Sequence, residues 1–426
     1  METAVDRSGG RLTAGDAAAA TGLPLPRAEA ALAALAADVA GRLLVSAAGD
    51  VVYELPPNFR AALRARSALL RLRPAYDSAV AAAGWAARAA FGAALLASVA
   101  LVWAAVFAAS TAGDDRDRRG GRSMPFRFYL SPADLWFWFD PSPRRRRSMD
   151  PAAPVGPAVG FLEAVFDFVF GGPDPNARFD DARWAAATAA VRAAGGVVTA
   201  EQLAPYLDEG DAAADDESFV VPALVRFGGH ADVDDAGGLL YSFPELATSA
   251  GGAAARERPP PPALEAAVPF TRASPGQRAA VIALAIANAA GVASLGGLMA
   301  DAAGRAALVA SGFGPTVFTL FPFLQLYSAA FFVVPAARWL LARRANEGIA
   351  ARNDARLRAA AALAAPGRAL AAKLASARRF AAMGGVARVV AEGDVVFDSG
   401  VEGGTDLAAA ELDAFDAKLR RARGEA

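Results

Sequence analysis

The residue types most used in catalysis and metal binding are nearly absent from this chain, which has one histidine, His230, and no cysteine among its 426 residues. A cysteine nucleophile, a thiolate zinc site and a cysteine-held iron–sulfur cluster are therefore excluded for this chain. A histidine-based metal cluster is excluded as well, and any catalytic triad would need His230. That residue lies just before a predicted β-hairpin, which favours a surface or hydrogen-bonded histidine over a catalytic one.

Two carboxylates, Glu163 and Asp167, lie four residues apart in the segment Val159–Phe170, and so on one face of a helix. Such a pair could perform acid–base chemistry or bind a cation, but no further ligand is near, so we interpret it as a solvated face. The segment is too short to span a bilayer, which predicts a helix in the membrane plane or packed on others. Gly312 and Gly314 lack the third glycine of a nucleotide-binding fingerprint. We therefore expect no enzymatic activity, no cofactor and no metal site.

Residues 126–147 combine a cluster of aromatic side chains with a run of arginines. Aromatic rings favour the boundary of a membrane, and arginines bind lipid phosphates there. Stacking on bases with contacts to nucleic-acid phosphates is the alternative, but the apolar span that precedes this segment favours lipid or a protein partner. The candidate interface residues are Trp136, Trp138, Phe139, Arg144, Arg145, Arg146 and Arg147.

Three charge-free stretches reach the roughly 20 apolar residues that cross a bilayer. The first lies within residues 76–113. It shows no polar stripe, whereas a soluble amphipathic helix would have one. The second and third lie within residues 278–343 and form a predicted hairpin. Gln325 and Tyr327 could form interhelical hydrogen bonds, or face a loop or the headgroups. Together with Asn288 they could instead line a transport path. Pro322 and Pro335 predict kinks in the third span.

Arginines cluster before the first span and after the third. The positive-inside rule places both clusters on the same side of the membrane, whereas three spans place them on opposite sides. Either one end breaks the rule, or one span is re-entrant or absent.

The soluble parts contain an internal repeat. Residues 1–75 predict two short helices, the first capped by Thr13, followed by a two-stranded wing. The same pattern recurs in residues 179–246. Equivalent positions are Val45, Gly49, Tyr53, Leu55 and Pro56 in the first copy and Val233, Gly237, Tyr241, Phe243 and Pro244 in the second.

Helix, helix and wing in this order predict a winged-helix-like module, a class that often binds DNA through its second helix. Phosphate contacts need lysine or arginine, but the candidate helix of the first copy offers only Arg27, and the second copy is acidic. A net charge of −1 also argues against a nucleic-acid binder. We therefore expect these modules to bind protein or to pack on each other.

The predicted fold is mainly α with small β wings, a three-span transmembrane region and two winged-helix-like modules. A charged and aromatic linker occupies residues 114–178, and a proline-rich linker residues 247–277. The tail comprises residues 344–426. A basic helix is predicted over Arg338–Ala364, which begins within the hairpin region and continues into this tail. A second helix should follow to about Ala382, then a hairpin over Val386–Phe397 and a terminal helix over Thr405–Arg421.

Five segments together resemble a membrane protein family of plant plastids and cyanobacteria. They read LSPADLWFWFDPSPRRRR, FLEAVFDFVFGGPDPN, GGVVTAEQLAPYLD, DESFVVPALVRF and FPFLQLYSAAFFVVPAARW. Land-plant members are often labelled "iron–sulfur cluster biosynthesis family protein". The resemblance implies a chloroplast membrane, envelope or thylakoid, and supplies no catalytic residues. Plant members begin with a transit peptide, whereas no such segment is visible here, which predicts a mature or truncated form.

The sequence therefore predicts a non-enzymatic scaffold or assembly factor of a plastid membrane. Its expected partners are membrane lipids and proteins rather than nucleic acid, and self-association is left open. By the resemblance alone, its role would be in the biogenesis of iron–sulfur or photosynthetic complexes. An oligomeric transporter or channel is the alternative function, and a membrane-tethered DNA-binding regulator is the third.

Overall fold

The computed structural model describes residues 1–66, 68–114, 160–208, 216–234, 236–251, 258–384 and 388–400. They fall into two compact units. The first comprises Met1–Pro74, Pro175–Ala267 and Glu347–Ala426, and the second comprises Ala75–Asp174 and Val268–Asn346. The structure is mainly helical with small antiparallel sheets, which confirms the predicted fold class at that level.

The first copy of the repeat opens the first unit. Thr13 and Asp16 form a reciprocal capping box, in which the Thr13 hydroxyl accepts from the Asp16 backbone N–H at 3.0 Å. This confirms the predicted cap. The elements are α1 (Glu2–Arg7), β1 (Arg11–Thr13), α2 (Ala14–Thr21), α3 (Leu25–Val39), β2 (Arg42–Ser46), β3 (Val51–Glu54) and α4 (Phe59–Arg66).

The second copy repeats this order of helices and strands. Tyr53 and Tyr241 occupy the centre of each sheet, with Leu12 and Leu43 opposite Tyr53, and Val198 and Ala231 opposite Tyr241. The elements are α7 (Phe179–Ala193), β4 (Val197–Val198), α8 (Ala200–Leu203), a 3₁₀ turn (Ser218–Val220), α9 (Val221–Phe227), β5 (His230–Val233) and β6 (Leu239–Ser242).

The two hairpin turns agree in geometry as well. Each turns on a glycine with positive φ, +88° at Gly49 and +82° at Gly237, a conformation that glycine adopts without strain. The internal repeat is therefore present in strand order, register and turn. The assignment of either copy to the winged-helix class stays a prediction.

Both copies contribute to one hydrophobic core. Helix α2 packs on α7, and fully buried side chains of both copies meet there, among them Leu12, Leu32, Leu203 and Phe227. Gly15 of α2 is required where the chain around Glu245 crosses it, because a Cβ at this position would overlap the backbone carbonyl of Glu245. The two copies thus form one body.

The end of the chain corrects a prediction. The hairpin expected over Val386–Phe397 is wrong, because β8 (Arg388–Val389) pairs in parallel with β7 (Thr248–Ser249) and β9 (Val395–Asp398) pairs antiparallel with β2. These pairings bury apolar side chains that a lone hairpin would leave in water, since Val390 joins Leu44 and Val52 in a small core. Helices α10 (Pro244–Ala247) and α14 (Arg368–Gly384) complete the unit. The predicted terminal helix Thr405–Arg421 lies outside the described residues.

The second unit is a bundle of apolar helices. Three of them, Ala75–Ala112, Pro275–Ala300 and Gly314–Ala364, are long and apolar enough to cross a membrane by length and composition. They correspond to the three predicted spans. The bundle contains α6 (Phe161–Phe170), α11 (Pro275–Ala300) and α12 (Ala302–Ala310). It also contains most of α5 (Ala68–Asp114), whose first turns belong to the first unit, and α13 (Gly314–Ala364), whose last turns, from Glu347, belong to the first unit.

Helix α13 differs from the prediction in its extent. The basic helix expected over Arg338–Ala364 is not a separate element, because α13 continues without interruption from Gly314 to Ala364 and contains both Pro322 and Pro335. Neighbouring helices stabilise it through the surrounding packing, in which Val317 and Leu324 contact Leu295 of α11 and Val102 of α5.

Candidate partner-binding surface

The membrane-interface residues predicted from the sequence lie outside the described residues. These are Trp136, Trp138, Phe139 and the run Arg144–Arg147. Their assignment to lipid or partner binding therefore stays a prediction. The candidate site must be built from other residues.

His230 is a surface residue. Its side chain is 58% exposed, and its Nε2 lies 3.4 Å from Asp232 Oδ2. Ser242 Oγ donates to the same Asp232 oxygen at 2.6 Å. In a catalytic triad the histidine must lie between the serine and the carboxylate, whereas here the carboxylate lies between the other two. This constellation cannot activate the serine.

Asp167 corrects the interpretation of the paired carboxylates. The predicted solvated face is wrong for this residue, whose side chain is 3% exposed. It accepts hydrogen bonds from Thr271 Oγ1 at 2.9 Å and from the Arg272 backbone N–H at 2.6 Å, and it pairs with the Arg272 guanidinium at 3.1 Å. Glu163 instead lies at the start of α6 and accepts from the Gly160 N–H at 3.4 Å. The carboxylate of Asp167 thus fixes the segment before α11.

Lys373 lies in a partly buried charge cluster that could suggest catalysis. Its Nζ lies 2.9 Å from Glu201 Oε1 and 2.7 Å from Glu217 Oε1. Burial acts to lower the pKa of Lys373, but hydrogen bonds and charges from the two glutamates outweigh it and raise the pKa above its ordinary value. A nucleophilic lysine needs a lowered pKa, and the pKa of Lys373 is shifted in the opposite direction.

Arg356 forms a second buried cluster in the first unit. Its side chain is 2% exposed, pairs with Asp208, and lies 3.1 Å from Glu265 Oε1. Burial acts to raise the pKa of Asp208, but the charges of Arg183 and Arg356 outweigh it and lower the pKa. Both charges are therefore paired, and the described residues include no group of histidines and carboxylates able to hold a metal ion.

Two hydrogen bonds join polar side chains of the helical bundle to a neighbouring helix. Tyr327 donates to the Phe91 carbonyl at 2.8 Å, and Ser98 donates to Asn288 Oδ1 at 2.7 Å, which confirms interhelical hydrogen bonding for Tyr327. The Nδ2 group of Asn288 is buried without a partner in the described structure. Gln325 instead lies on an exposed surface groove of about 630 Å³ between α11 and α13.

The second repeat copy exposes aliphatic side chains where a DNA-binding module would present basic ones. On α9, Val221 is 52% and Val225 80% exposed, and their spacing places them on one helical face. On the hairpin that follows, Val233 is 63% and Leu239 40% exposed. We give the name aliphatic surface to the exposed side chains on these two consecutive parts of the second copy, Val221 and Val225 on α9 and Val233 and Leu239 on the hairpin.

Arg226 is the one basic residue of α9, and it is turned inward. Its Nε donates to the Gly22 carbonyl at 3.1 Å, and its guanidinium lies 4.8 Å from the ring centre of Trp184. The aliphatic surface therefore lacks the cation that α9 could have supplied. The charged residues next to it in sequence are carboxylates instead, Asp216 before α9 and Asp232 and Asp234 in the hairpin.

Sequence reasoning missed this surface. The acidic residues of the second copy indicated protein binding, but α9 is only seven residues long, too short for its apolar periodicity to be read. The spacing of Val221 and Val225 was the available signal.

Similarity to known proteins gives the family. The chain is 38% identical over 397 residues to an uncharacterised chloroplastic protein of Arabidopsis thaliana, and the match covers 89% of this chain and 75% of the plant protein. No family model and no solved structure matches the chain. The description of the plant protein supports a plastid location and contains no iron–sulfur term. The chain belongs to the family of this chloroplastic protein.

Proposed function

We propose that this protein is a non-enzymatic, membrane-anchored scaffold of the plastid that holds protein partners on its aliphatic surface. The observation that carries the proposal is helix α9, which exposes Val221 and Val225 while its single arginine is engaged inside the unit. Exposed aliphatic side chains flanked by polar residues are typical of protein-binding surfaces.

A scaffold requires a binding surface that keeps its shape. The contacts beneath α9 hold this helix in a fixed position. Arg226 joins α9 to the Gly22 carbonyl at the end of α2, and Phe227 is buried in the shared core beside Trp184. The position of α9 is thereby fixed relative to both repeat copies. A partner would bind without first having to order this helix, which lowers the entropic cost of binding.

Anchoring is the proposed role of the three apolar helices, with the residues between Trp136 and Arg147 at the lipid headgroups. Chloroplast membranes, envelope or thylakoid, are the proposed site. Assembly of iron–sulfur or photosynthetic complexes is the finer role that the family resemblance suggests. A chain without cysteine would act there by holding partners rather than by carrying a cluster.

The absence of native cysteine makes a sharp test available. A single cysteine introduced as Val225→Cys and labelled with a photo-crosslinker should capture defined plastid proteins in mild detergent. The matched control is Met383→Cys, whose side chain is 87% exposed on α14 of the same unit. Capture should be lost in the Val221→Asp variant. Equal capture from both labelled positions, or recovery of the monomer alone, would reject the proposal.

A transporter or channel is the second candidate, and one observation favours it. The Asn288 Nδ2 is buried among apolar helices without a partner, and an unpaired polar group at such a site often marks a transport path. Three spans would need an oligomer to enclose a pore. Loss of ion flux from reconstituted vesicles on Asn288→Leu would support this function, and zero flux for every ion tested would exclude it.

A membrane-tethered DNA-binding regulator is the third candidate. The inward orientation of Arg226 and the carboxylates around the aliphatic surface weigh against it. Binding of the full chain to duplex DNA that weakens steeply with salt would restore it.

A further inference from the structure

The two repeat copies differ at one edge of their sheets. In the first copy the strand order is β1-β3-β2-β9, so that β9 covers the outer edge of β2. In the second copy the order is β4-β6-β5. No strand in the described part of the chain covers the outer edge of β5, which is the equivalent of β2.

The hydrogen bonds of the two hairpins show which backbone groups this edge presents. The Ser46 N–H donates to the Asp50 carbonyl at 2.9 Å, and the Asp234 N–H donates to the Gly238 carbonyl at the same distance. Inward and outward groups alternate along an antiparallel strand. Counting back from Asp234, residues Ala231 and Val233 direct their N–H and C=O groups away from β6.

The first copy shows these outward groups in use. Leu43, the equivalent of Ala231, accepts from the Ser399 N–H at 3.0 Å and donates its own N–H to Ser399 Oγ at 2.9 Å. Val45, the equivalent of Val233, lies opposite Phe397. In the first copy the equivalent edge therefore accepts an antiparallel strand.

Both faces of the second sheet are packed near its centre, so that its outer edge presents the unpaired backbone groups. Val198 and Tyr241 lie in the shared core, and Leu240 packs against Ala377 on the opposite face. Strand β5 contains no proline or lysine, two residues that commonly protect an exposed edge from pairing, and its one charged side chain is Asp232.

We propose that β5 accepts an extended segment of a partner protein as a fourth, antiparallel strand. The partner segment carries an apolar residue opposite Val233 and a basic residue opposite Asp232. This mode of binding rests on the proposed scaffold function and specifies how one partner is held.

The negative charge of Asp232 at this edge favours a basic residue in the added strand. In the first copy the residue opposite Leu44 is Asp398, whose carboxylate lies 3.4 Å from Arg42. The second copy has Asp232 in place of Leu44 and His230 in place of Arg42. An aspartate in the added strand would face Asp232, whereas a lysine would pair with it.

The chain supplies the probe for a test. Residues 393–400 contain β9, and a fluorescein-labelled peptide of this sequence with the change Asp398→Lys carries phenylalanine opposite Val233 and lysine opposite Asp232. Fluorescence anisotropy with the full chain in detergent should show saturable binding. The unaltered peptide should bind at least about threefold more weakly, because two carboxylates then oppose each other across the strands.

Proline variants test the backbone contacts. Ala231→Pro and Val233→Pro each remove one outward N–H without removing a hydrogen bond to β6, so peptide binding should weaken at least about fivefold. Val233→Thr keeps both the N–H and the branched shape, and its binding should stay within about twofold of the wild type. Wild-type hydrogen exchange, which needs no variant, should slow at the amides of Ala231 and Val233 on addition of the peptide.

The proposal is overturned if the peptide does not bind, if both proline variants bind like the wild type, or if the two amides exchange at an unchanged rate. The scaffold function is judged separately by capture at Val225. Capture there with no peptide bound at β5 would refute strand addition alone.

Discussion

Replacement of Asp16 tests whether the two repeat copies depend on one buried charge. Asp16 Oδ2 accepts from the backbone N–H groups of Thr13 at 2.9 Å and of Ala250 at 3.0 Å. Its Oδ1 accepts from Ser249 Oγ at 2.9 Å and pairs with the Arg192 guanidinium. One carboxylate thus links α2, α7 and β7.

The expected loss of stability follows from the burial of the ion pair between Asp16 and Arg192. In Asp16→Asn, the guanidinium of Arg192, only 13% exposed, loses its anionic partner. Removing one partner of a buried ion pair costs about 3–5 kcal/mol, and we expect the lower end because Arg192 still donates to the Leu246 carbonyl at 2.7 Å. A loss of about 3 kcal/mol lowers the melting temperature of a unit this size by about 6–12 °C.

The assay is thermal unfolding of the full chain in detergent, followed by tryptophan fluorescence. The control is Asp6→Asn, because Asp6 and its partner Arg60 are both about half exposed, 46% each. An exposed pair of this kind contributes about 0–1 kcal/mol. The double variant Asp16→Asn with Arg192→Met should recover part of the loss, since no unpaired charge then remains.

The dependence on pH supplies an independent check. Burial acts to raise the pKa of Asp16, but the charge of Arg192 and hydrogen bonds from Ala250 and Thr13 outweigh it and hold the pKa below its ordinary value. The stabilisation is therefore complete above the unfolded pKa of about 3.9, and is lost as the pH falls through the folded value. The difference between wild type and Asp16→Asn should be constant at pH 5–7 and shrink below about pH 4. Equal melting of the Asp16 and Asp6 variants at pH 7 would refute the reasoning.

Three further changes test the remaining contacts. Asp167→Asn removes the negative charge with which Arg272 pairs, and should lower the stability of this contact by about 1.5–3 kcal/mol. The measurement is limited proteolysis, which should become faster beside α6. Gly92→Val should displace α6, because a Cβ at this position would lie 2.5 Å from the Leu162 carbonyl oxygen. Amide hydrogen exchange across residues 161–170 should therefore accelerate. The control Gly84→Val, at a position with open space around it, should leave this exchange unchanged. Lys373→Met leaves the carboxylates of Glu201 and Glu217 unpaired, so the variant should melt lower than wild type at pH 7. Because the pKa of Glu201 lies below its ordinary value, the difference should persist to about pH 4.3 and shrink only as the pH falls further.

Local signals predicted most of the elements. Thr13 begins α2 because a threonine followed three residues later by Asp16 forms a capping box, and Gly49 and Gly237 mark turns that require positive φ. The spans followed from length and hydropathy. Each of these features depends on residues that are close in sequence, which explains why they could be read.

Long-range features could not be predicted in this way. The apolar sequence of β9 is compatible with a local hairpin and with pairing at the edge of β2. Which of the two forms depends on a hydrophobic cluster around Leu44, more than 300 residues away in the sequence. Asp167 was interpreted as solvated because its partner, Arg272, lies over 100 residues later. The candidate surface on α9 was likewise hidden, since only the fold shows that Arg226 points inward.

The pairing of β9 with β2 also constrains how the chain can cross a membrane. Both strands belong to one sheet, so the segments before α5 and after α13 lie on the same side of any bilayer that the long helices cross. The number of crossings between them must be even. Single crossings by α5, α11 and α13 alone would give an odd count and separate the two strands, which this sheet does not allow. The arginine clusters at the two ends then both obey the positive-inside rule, and protease protection should find tags at both termini on one face.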